Sequence, residues 1–235
     1  MTVEVNSTNG IFVAAHELKA PLCLMRQLAL ALDLADDPST TERLKTQLIN
    51  VSERALRQVN DLTKIARLED GLFAMEPVSV RGVCDEVWRE ISQLYHFEQH
   101  EINLHYTNKS KLALANYDLL YSVIYNFCTN ALHYSRGEVP SQLIVQDHQG
   151  RIRIKVRDYG PALPAKIWRA LQSGSLSAPT PVAMRSDSTG LGLYIASAFA
   201  RHMHSSVRAI RHRDGTSFFV DLPVSYQTTI WSCLS

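Results

Sequence analysis

The chain has 235 residues, of which 46% are hydrophobic and 20% are charged, and its formal net charge is +1. These fractions lie near the globular average of about 45–50% apolar and about 25% charged residues, which excludes a chain that is disordered throughout. The small net charge excludes a general attraction to nucleic acid or anionic lipid. No run of about 18 apolar residues occurs, and the amino terminus lacks a signal-peptide pattern, so we expect no membrane contact by this segment.

Four cysteines are scattered along the chain, at Cys23, Cys84, Cys128 and Cys233. None stands in a C-x-x-C pair, which disfavours both a disulfide framework and a zinc knuckle. We therefore expect free thiols in a reducing compartment.

The first seventy residues carry two helical stripes. Apolar residues recur every three or four positions over Leu18–Ala35 and again over Leu44–Ala66, which predicts two amphipathic helices joined by a short loop. Ser39 and Glu42 have the S-x-x-E spacing of a capping box, so we expect the second helix to begin there.

Such a hairpin encloses too little core to be stable by itself. A homodimer in which two hairpins form a four-helix bundle covers both apolar stripes and is the economical arrangement. Packing of the hairpin on the rest of its own chain is the alternative.

After Gly71 the composition becomes mixed and predicts an α+β domain. We expect two helices and four strands, over Val83–Leu94, Leu119–Tyr134, Glu101–Tyr106, Gln142–His148, Arg151–Asp158 and Thr216–Leu222. Residues 172–189 read as a long functional loop, and a further helix is expected to start at Gly190.

The strand Arg151–Asp158 alternates between apolar and basic residues. Ile152, Ile154 and Val156 fall on one face, and the basic residues fall on the other. This pattern predicts a sheet with one buried and one solvated face, as in an antiparallel α+β sandwich.

His16 and Glu17 stand on the first predicted helix. His16 is two residues, or about 200°, away from Leu18 on the apolar stripe, so we expect it to face away from the bundle core. A neighbouring carboxylate can take or orient the ring proton and make such a histidine nucleophilic. An ordinary surface histidine is the alternative.

Asn126 and Asn130 project one turn apart from the same face of an apolar helix. Buried amides need hydrogen-bond partners, and amide oxygens suit a Mg²⁺ ion that is shared with phosphates. Hydrogen bonding to neighbouring loops is the alternative.

Asp158 ends a strand and is followed by the turn residues Tyr159, Gly160 and Pro161. Its carboxylate can accept a hydrogen bond from the amino group of a base, or it serves only the turn. Farther along, the G-x-G spacing at residues 190–192 lets backbone N–H groups approach a phosphate at a helix N-terminus.

Five segments in order carry a resemblance to a known family. They are HELKAPL (16–22), NFCTNALHYS (126–135), RDYGPALP (157–164), STGLGLYIAS (188–197) and GTSFFVDLP (215–223). Over residues 5–225 the chain resembles the bacterial sensor histidine kinases of two-component systems.

The resemblance implies a multidomain α and α+β protein. Residues 1–71 would be the dimerisation and phosphoacceptor hairpin, residues 72–226 a Bergerat-type ATP-binding α/β sandwich, and residues 227–235 a tail. The resemblance implies a homodimer in the cytoplasm, either as a cytoplasmic protein or as the cytoplasmic portion of a membrane-bound sensor. Its implied partner is the receiver domain of a response regulator.

The implied reaction transfers the γ-phosphoryl group of ATP to His16 and then to an aspartate of the response regulator. In this family the acid at the position of Glu17 acts as general base. The asparagine at the position of Asn130 holds Mg²⁺, and Asn126 lies beside it. Phosphoryl transfer depends mainly on positioning and charge neutralisation, which these groups supply.

The resemblance also implies that Asp158 reads the adenine amino group and that Gly160 gives room for the base. The remaining positions that the family uses to bind the nucleotide correspond here to His133, Tyr134, Gly190, Leu191, Gly192, Leu193 and Thr216.

The chain departs from the family pattern at five positions. His133 replaces a lysine, Tyr159 an asparagine, Ala162 and Ser188 glycines, and Ala20 the threonine or asparagine that orients a hydrolytic water. The departures near the nucleotide motivate an alternative, a degenerate non-catalytic adaptor or a histidine phosphotransfer protein that docks receiver domains. A chaperone-type or mismatch-repair-type ATPase is disfavoured by the hairpin with its His-Glu pair.

Overall fold

The computed structural model of the chain describes residues 4–107, 111–135, 139–161, 163, 165–172 and 191–225, with side chains from Leu18 onward except that of Lys166. The described residues divide into two compact units, residues 4–67 with 191–195 and residues 68–172 with 196–225. Apart from Gln172, the predicted loop of residues 172–189 lies outside the described residues, as does the predicted tail. None of the described helices is both long enough and apolar enough to cross a membrane.

The amino-terminal unit contains the two predicted helices, α1 (Glu4–Leu32) and α2 (Pro38–Ala66), which pack against each other. α1 is longer than its apolar stripe and continues through Pro21. In α2 the only fully buried residues are Ala55 and Asp61. A pair of helices alone therefore encloses little core, as their narrow stripes predict.

The predicted capping box at the start of α2 is wrong. The helix begins at Pro38, and its N-cap is Asp37, whose Oδ1 accepts hydrogen bonds from the backbone N–H groups of Ser39 at 2.8 Å and Thr40 at 3.0 Å. Proline is favoured in the first helical position because its missing N–H would have no partner there. The hydrogen bonds from Ser39 and Thr40 hold the pKa of Asp37 well below its usual range.

The rest of the chain alternates strands and helices. In chain order these are β1 (Glu76–Ser79), α3 (Val80–Phe97), β2 (Ile102–Tyr106), β3 (Leu112–Ala115), α4 (Tyr117–Tyr134), β4 (Ser141–His148), β5 (Arg151–Arg157), α5 (Ala165–Gln172), α6 (Leu191–His202), β6 (Arg208–His212) and β7 (Gly215–Pro223). The predicted helices and strands are confirmed to within a few residues. The short elements β1, β3, α5 and β6 were not predicted.

The strands form a five-stranded sheet in the order β2-β4-β5-β7-β6 and a small antiparallel pair of β1 with β3. The sheet is antiparallel, as in the predicted α+β sandwich, except at one edge, where β2 pairs with β4 in parallel. The other pairs are antiparallel, and β4 and β5 are joined by Gln149 and Gly150, both with positive φ. This turn geometry matches the twist of a two-residue hairpin.

The core lies between one face of the sheet and the helices α3 and α4. The three apolar residues of β5, Ile152, Ile154 and Val156, are fully buried, as their alternation predicts. Phe127 of α4 stacks on Phe218 of β7 with ring centroids 6.1 Å apart. The apolar face of the sheet therefore positions α4 and the ends of β5 and β7 relative to one another.

The other face of the sheet is less solvated than its basic residues suggest. Arg153 makes two hydrogen bonds of 2.7 Å to the carboxylate of Asp221 and lies over the ring of Phe219. Ser217 on the same face is fully buried. The alternation of β5 thus assigns each side chain to the correct face but does not show that paired arginines cover the basic one.

Candidate nucleotide-binding site

Asp158 lies directly after β5 and is 3% exposed. Its Oδ1 accepts hydrogen bonds from the backbone N–H of Gly160 at 3.0 Å and of Thr216 at 3.2 Å. Burial raises the pKa of the Asp158 carboxyl, although these two donors and the Arg157 guanidinium oppose the shift. Two backbone donors therefore fix the orientation of a carboxylate that would otherwise be costly to bury.

The two glycines nearest to Asp158 stand where no side chain fits. A Cβ atom on Gly160 would lie 2.3 Å from the carbonyl oxygen of Tyr134, and one on Gly215 would lie 2.2 Å from the carbonyl oxygen of Asp158. Gly215 also has φ +147°, which side chains of L-residues rarely adopt. Close backbone contacts thus join the end of α4, the turn after β5 and the start of β7 at one place.

Two polar groups at this place remain available for a ligand. The Oγ1 of Thr216 is buried and makes no hydrogen bond within the described part of the chain. Oδ2 of Asp158 likewise accepts none from the described residues, since both bonds to the carboxylate go to Oδ1. An acceptor beside a hydroxyl suits the amino edge of a heterocyclic base.

The predicted polar residues of α4 lie in its carboxy-terminal half, between Asn126 and Tyr134. Asn126 is buried, and its Nδ2 donates to the carbonyl oxygen of Ser122 at 2.8 Å, a bond within α4 and not the bond to a neighbouring loop that the alternative interpretation expects. Asn130 is partly exposed, and its buried Nδ2 has no hydrogen-bond partner among the described residues. The rings of His133 and Tyr134 meet edge to face, 5.3 Å between centroids.

The second glycine segment is described only from Leu191, where α6 begins. Leu191 and Leu193 are buried and Gly192 is partly exposed. The buried leucines anchor the helix, so any contact of theirs with a phosphate would come from the backbone. Gly190, Ser188 and Ala162 lie outside the described residues, and their roles stay predictions.

His16 and Glu17 lie on the backbone of α1, but their side chains are outside the described part of the structure. The orientation predicted for His16 is therefore untested. Farther along α1, Leu24 is exposed and Ala20 is partly exposed.

Sequence reasoning missed three residues that shape the site. Arg157, Asp214 and Gly215 were not identified as site residues, although Gly215 begins the segment GTSFFVDLP. Arg157 was assigned only to the solvated face, yet it is buried beside Asp158. Its position immediately before the site aspartate was the available signal.

Comparison with known proteins gives a consistent result. Residues 115–226 match the family described as "Histidine kinase-, DNA gyrase B-, and HSP90-like ATPase". The chain is 25% identical over 90% of its length to "Probable sensor histidine kinase TcrY" of Mycobacterium tuberculosis, and 26% identical over 93% to "Sensor-like histidine kinase SenX3" of Mycolicibacterium smegmatis. It spans 44% and 58% of these two relatives, which is about half their length.

Solved structures agree on the fold. The Acinetobacter baumannii histidine kinase AdeS superimposes with a TM-score of 0.63 at 17% identity, covering 89% of this chain and 98% of AdeS. Full-length ShkA, crystallised with AMPPNP, gives a TM-score of 0.62 at 22% identity, covering 94% of this chain and 47% of ShkA.

The carboxy-terminal domain is thus an ATPase-type domain of the histidine kinase, DNA gyrase B and HSP90 family, which implies ATP binding. The two relatives that match over nearly the whole chain carry the names of sensor histidine kinases.

Proposed function

We propose that this chain is the catalytic core of a sensor histidine kinase that phosphorylates His16 from ATP and passes the phosphoryl group to an aspartate of a response regulator. The observation that carries the proposal is the buried Asp158 beside Thr216, in a domain of an ATPase family. The named relatives are kinases of this type, and ShkA was crystallised with an ATP analogue.

The residues present suit an adenine nucleotide. Oδ2 of Asp158 would accept a hydrogen bond from the adenine amino group, and the unpaired Oγ1 of Thr216 would bond to a ring nitrogen. The Oγ1 of Thr216 is buried without a partner among the described residues, which costs free energy that a bound base would recover.

The proposed Mg²⁺ ligand is the side-chain oxygen of Asn130. The Nδ2 of the same amide is buried without a hydrogen bond in the described residues, so it would be a donor for a phosphate oxygen of the bound nucleotide. Mg²⁺ would neutralise charge on the phosphates. Asn126 would support the helix face, since its amide is bonded to Ser122.

In the proposed phosphotransfer step, a ring nitrogen of His16 attacks the γ-phosphorus. A P–N bond forms, the bond to the ADP oxygen breaks, and the ring proton passes to Glu17. The backbone N–H groups at residues 190–192 would contact the phosphates at the start of α6. In the second step the phosphoryl group leaves His16 for the receiver aspartate and restores the imidazole.

The hairpin supports the proposal of a homodimer. Leu22 of α1 is 60% exposed, and Ile49 and Leu56 of α2 are 55% and 64% exposed. Exposed leucines and isoleucines at helical spacing are typical of helices that pack against a second copy. Analytical ultracentrifugation of the full chain should show a dimer, and a monomer at micromolar concentration contradicts this part of the proposal.

The direct test is autophosphorylation with γ-labelled ATP and Mg²⁺. We expect an acid-labile, base-stable phosphate that disappears in His16→Ala, whereas calorimetry should show that this variant still binds ATP. His96→Ala, which changes an exposed histidine of α3, is the matched control and should retain labelling. Labelling that survives in His16→Ala overturns the assignment.

A second candidate function is a non-catalytic adaptor, and His133 and Tyr159 favour it because they replace the lysine and asparagine of the family pattern. Calorimetric titration of the full chain with Mg–ATP separates the two functions. Saturable binding that is lost in Asp158→Ala supports the kinase, and no binding by the unmodified chain supports the adaptor.

A further inference from the structure

Arg157 bridges two segments on either side of Asp158. Its Nη2 lies 2.6 Å from Oδ1 of Asp214, in the turn between β6 and β7. Its guanidinium carbon also lies 4.6 Å from the ring centroid of Tyr159. The Arg157 side chain is only 10% exposed, whereas that of Asp214 is 65% exposed. The buried Arg157 side chain therefore holds the exposed turn that contains Asp214.

The attached turn leads directly into the candidate adenine site. Gly215 and Thr216 follow Asp214, and the backbone of Thr216 exchanges two contacts with Asp158. Its N–H donates to Oδ1 of Asp158 at 3.2 Å, and its carbonyl accepts from the N–H of Asp158 at 2.9 Å. Because Gly215 lies against the Asp158 carbonyl, a shift of this turn would move Thr216 relative to the carboxylate.

We propose that Arg157 is a positioning residue that holds Thr216 beside Asp158 and thereby sets the selectivity of the site for adenine over guanine nucleotides. This proposal rests on the proposed function, because it assumes that Asp158 and Thr216 contact the base. Adenine presents an amino donor where guanine presents a carbonyl acceptor, and a carboxylate accepts from the first and repels the second. Discrimination of this kind depends on a fixed donor and acceptor geometry.

Arginine has the shape that this role requires. Its planar guanidinium can donate to Asp214 from one edge while its face lies over Tyr159, whereas a lysine ammonium has no planar face to stack on the ring. This contact also gives Tyr159 a role, because its ring is the aromatic surface on which the Arg157 guanidinium lies.

A matched control lies four residues earlier on the same strand. Arg153 makes a two-hydrogen-bond pair with Asp221 and lies 3.9 Å over the ring of Phe219, so it has the same combination of contacts. Asp221 is near the far end of β7 and does not contact Asp158. Loss of Arg153 therefore tests the structural contribution of such a pair without touching the Asp214 turn.

The experiment measures Kd values of Mg–ATP and Mg–GTP by calorimetry for the full chain and for Arg157→Ala, Arg157→Lys, Asp214→Asn and Arg153→Ala. We expect the unmodified chain to prefer ATP. The ratio Kd(GTP)/Kd(ATP) should fall by about fivefold to tenfold in Arg157→Ala and Asp214→Asn, the equivalent of one hydrogen bond. It should fall in Arg157→Lys as well and should not change in Arg153→Ala.

Asp214→Asn keeps the test valid if Arg157→Ala does not fold, because Asp214 is largely exposed. The proposal is overturned if the ratio Kd(GTP)/Kd(ATP) is unchanged in folded Asp214→Asn, or if Arg153→Ala lowers this ratio equally. In both cases ATP binding by the unmodified chain leaves the proposed function standing. Absence of ATP binding by the unmodified chain overturns the proposed function and this proposal together.

Discussion

The carbonyl oxygen of Tyr134 lies 2.3 Å from the point that a Cβ atom on Gly160 would occupy. Tyr134 is the last residue of α4, and Gly160 follows Asp158 by two residues and donates to its carboxylate. The contact is between two backbones, so neither side can yield by rotating a side chain. The turn that carries Asp158 and the helix that carries Asn130 are therefore in direct backbone contact.

Gly160→Ala should destabilise this domain and weaken nucleotide binding. Relief of the overlap requires a backbone shift, and overpacking of this kind costs about 1–3 kcal/mol in the free energy of unfolding. Because the shift moves the N–H that binds Oδ1 of Asp158, ATP affinity should fall even at temperatures where the variant is folded. Urea unfolding and ATP calorimetry measure the two effects.

The control is Gly82→Ala in the first turn of α3. A Cβ atom there would meet only the Ser79 side chain at 3.5 Å, which is an ordinary contact. Alanine at a compatible helical position reduces the entropy of the unfolded chain, so this variant should be neutral or stabilised by less than about 1 kcal/mol. Equal stability of Gly160→Ala and Gly82→Ala would contradict the importance of the Tyr134 contact.

A second prediction concerns the start of α2. Asp37→Ala should increase hydrogen exchange at the amides of Ser39 and Thr40, because both lose their acceptor. Glu42→Ala is the control and should leave this exchange unchanged, since Asp37 and not the Ser39–Glu42 pair caps the helix. An equal effect of the two substitutions would instead support a capping box formed by Ser39 and Glu42.

The contribution of Asp37 should also depend on pH in a defined direction. The hydrogen bonds from Ser39 and Thr40 lower the pKa of its carboxyl in the folded state, so the folded state holds the proton less tightly than the unfolded state. The stabilisation is then fully present above the ordinary aspartate pKa of about 4 and is lost as the pH falls through the lowered value. Protection of the first turn of α2 should fade only in strong acid, and Asp37→Ala should remove this pH dependence.

The start of α2 also shows how a sequence can contain two competing signals. Asp37 before Pro38 and Ser39 before Glu42 are both acceptable N-termini. The helix begins at the first of these two signals, because the fixed φ of Pro38 suits the first helical position and its missing N–H costs nothing there. A correct choice was available from local chemistry alone.

Other features depend on contacts that local patterns do not contain. The strands β1 and β3 have four residues each, too few for alternation to stand out. The parallel pairing of Ile102–Tyr106 with Ser141–Val145 joins segments that are distant in sequence, and a strand's own residues do not specify the direction of its neighbour.

The candidate site likewise contains residues that the sequence predicts and residues that it does not. Asp158, Gly160 and Thr216 were predictable because they stand in segments whose order resembles a known family. Arg157 stands in the alternating basic face and begins the segment RDYGPALP, but neither pattern gives it a role. Its role depends on Asp214, which lies 57 positions away, and no periodicity within β5 reports that partner.

The last prediction concerns dephosphorylation of the response regulator. Ala20 lies one helical turn after His16 on α1 and offers only a methyl group where related kinases have a hydroxyl or amide. A water that attacks an aspartyl phosphate must be held in line, and loss of one positioning hydrogen bond costs on the order of 10²-fold in rate, by analogy with a transition-state donor. We therefore expect kinase and phosphotransfer activity with weak phosphatase activity.

Ala20→Thr should raise the rate at which the chain dephosphorylates its phosphorylated regulator without raising autophosphorylation. The control is Ala29→Thr, an exposed position farther along α1, which carries the same small loss of helix propensity without the hydroxyl near His16. Release of phosphate from a labelled receiver domain measures the rate. The absence of a hydroxyl at Ala20 is the proposed reason for weak phosphatase activity. The prediction therefore fails if the unmodified chain already removes phosphate far faster than the regulator loses it alone.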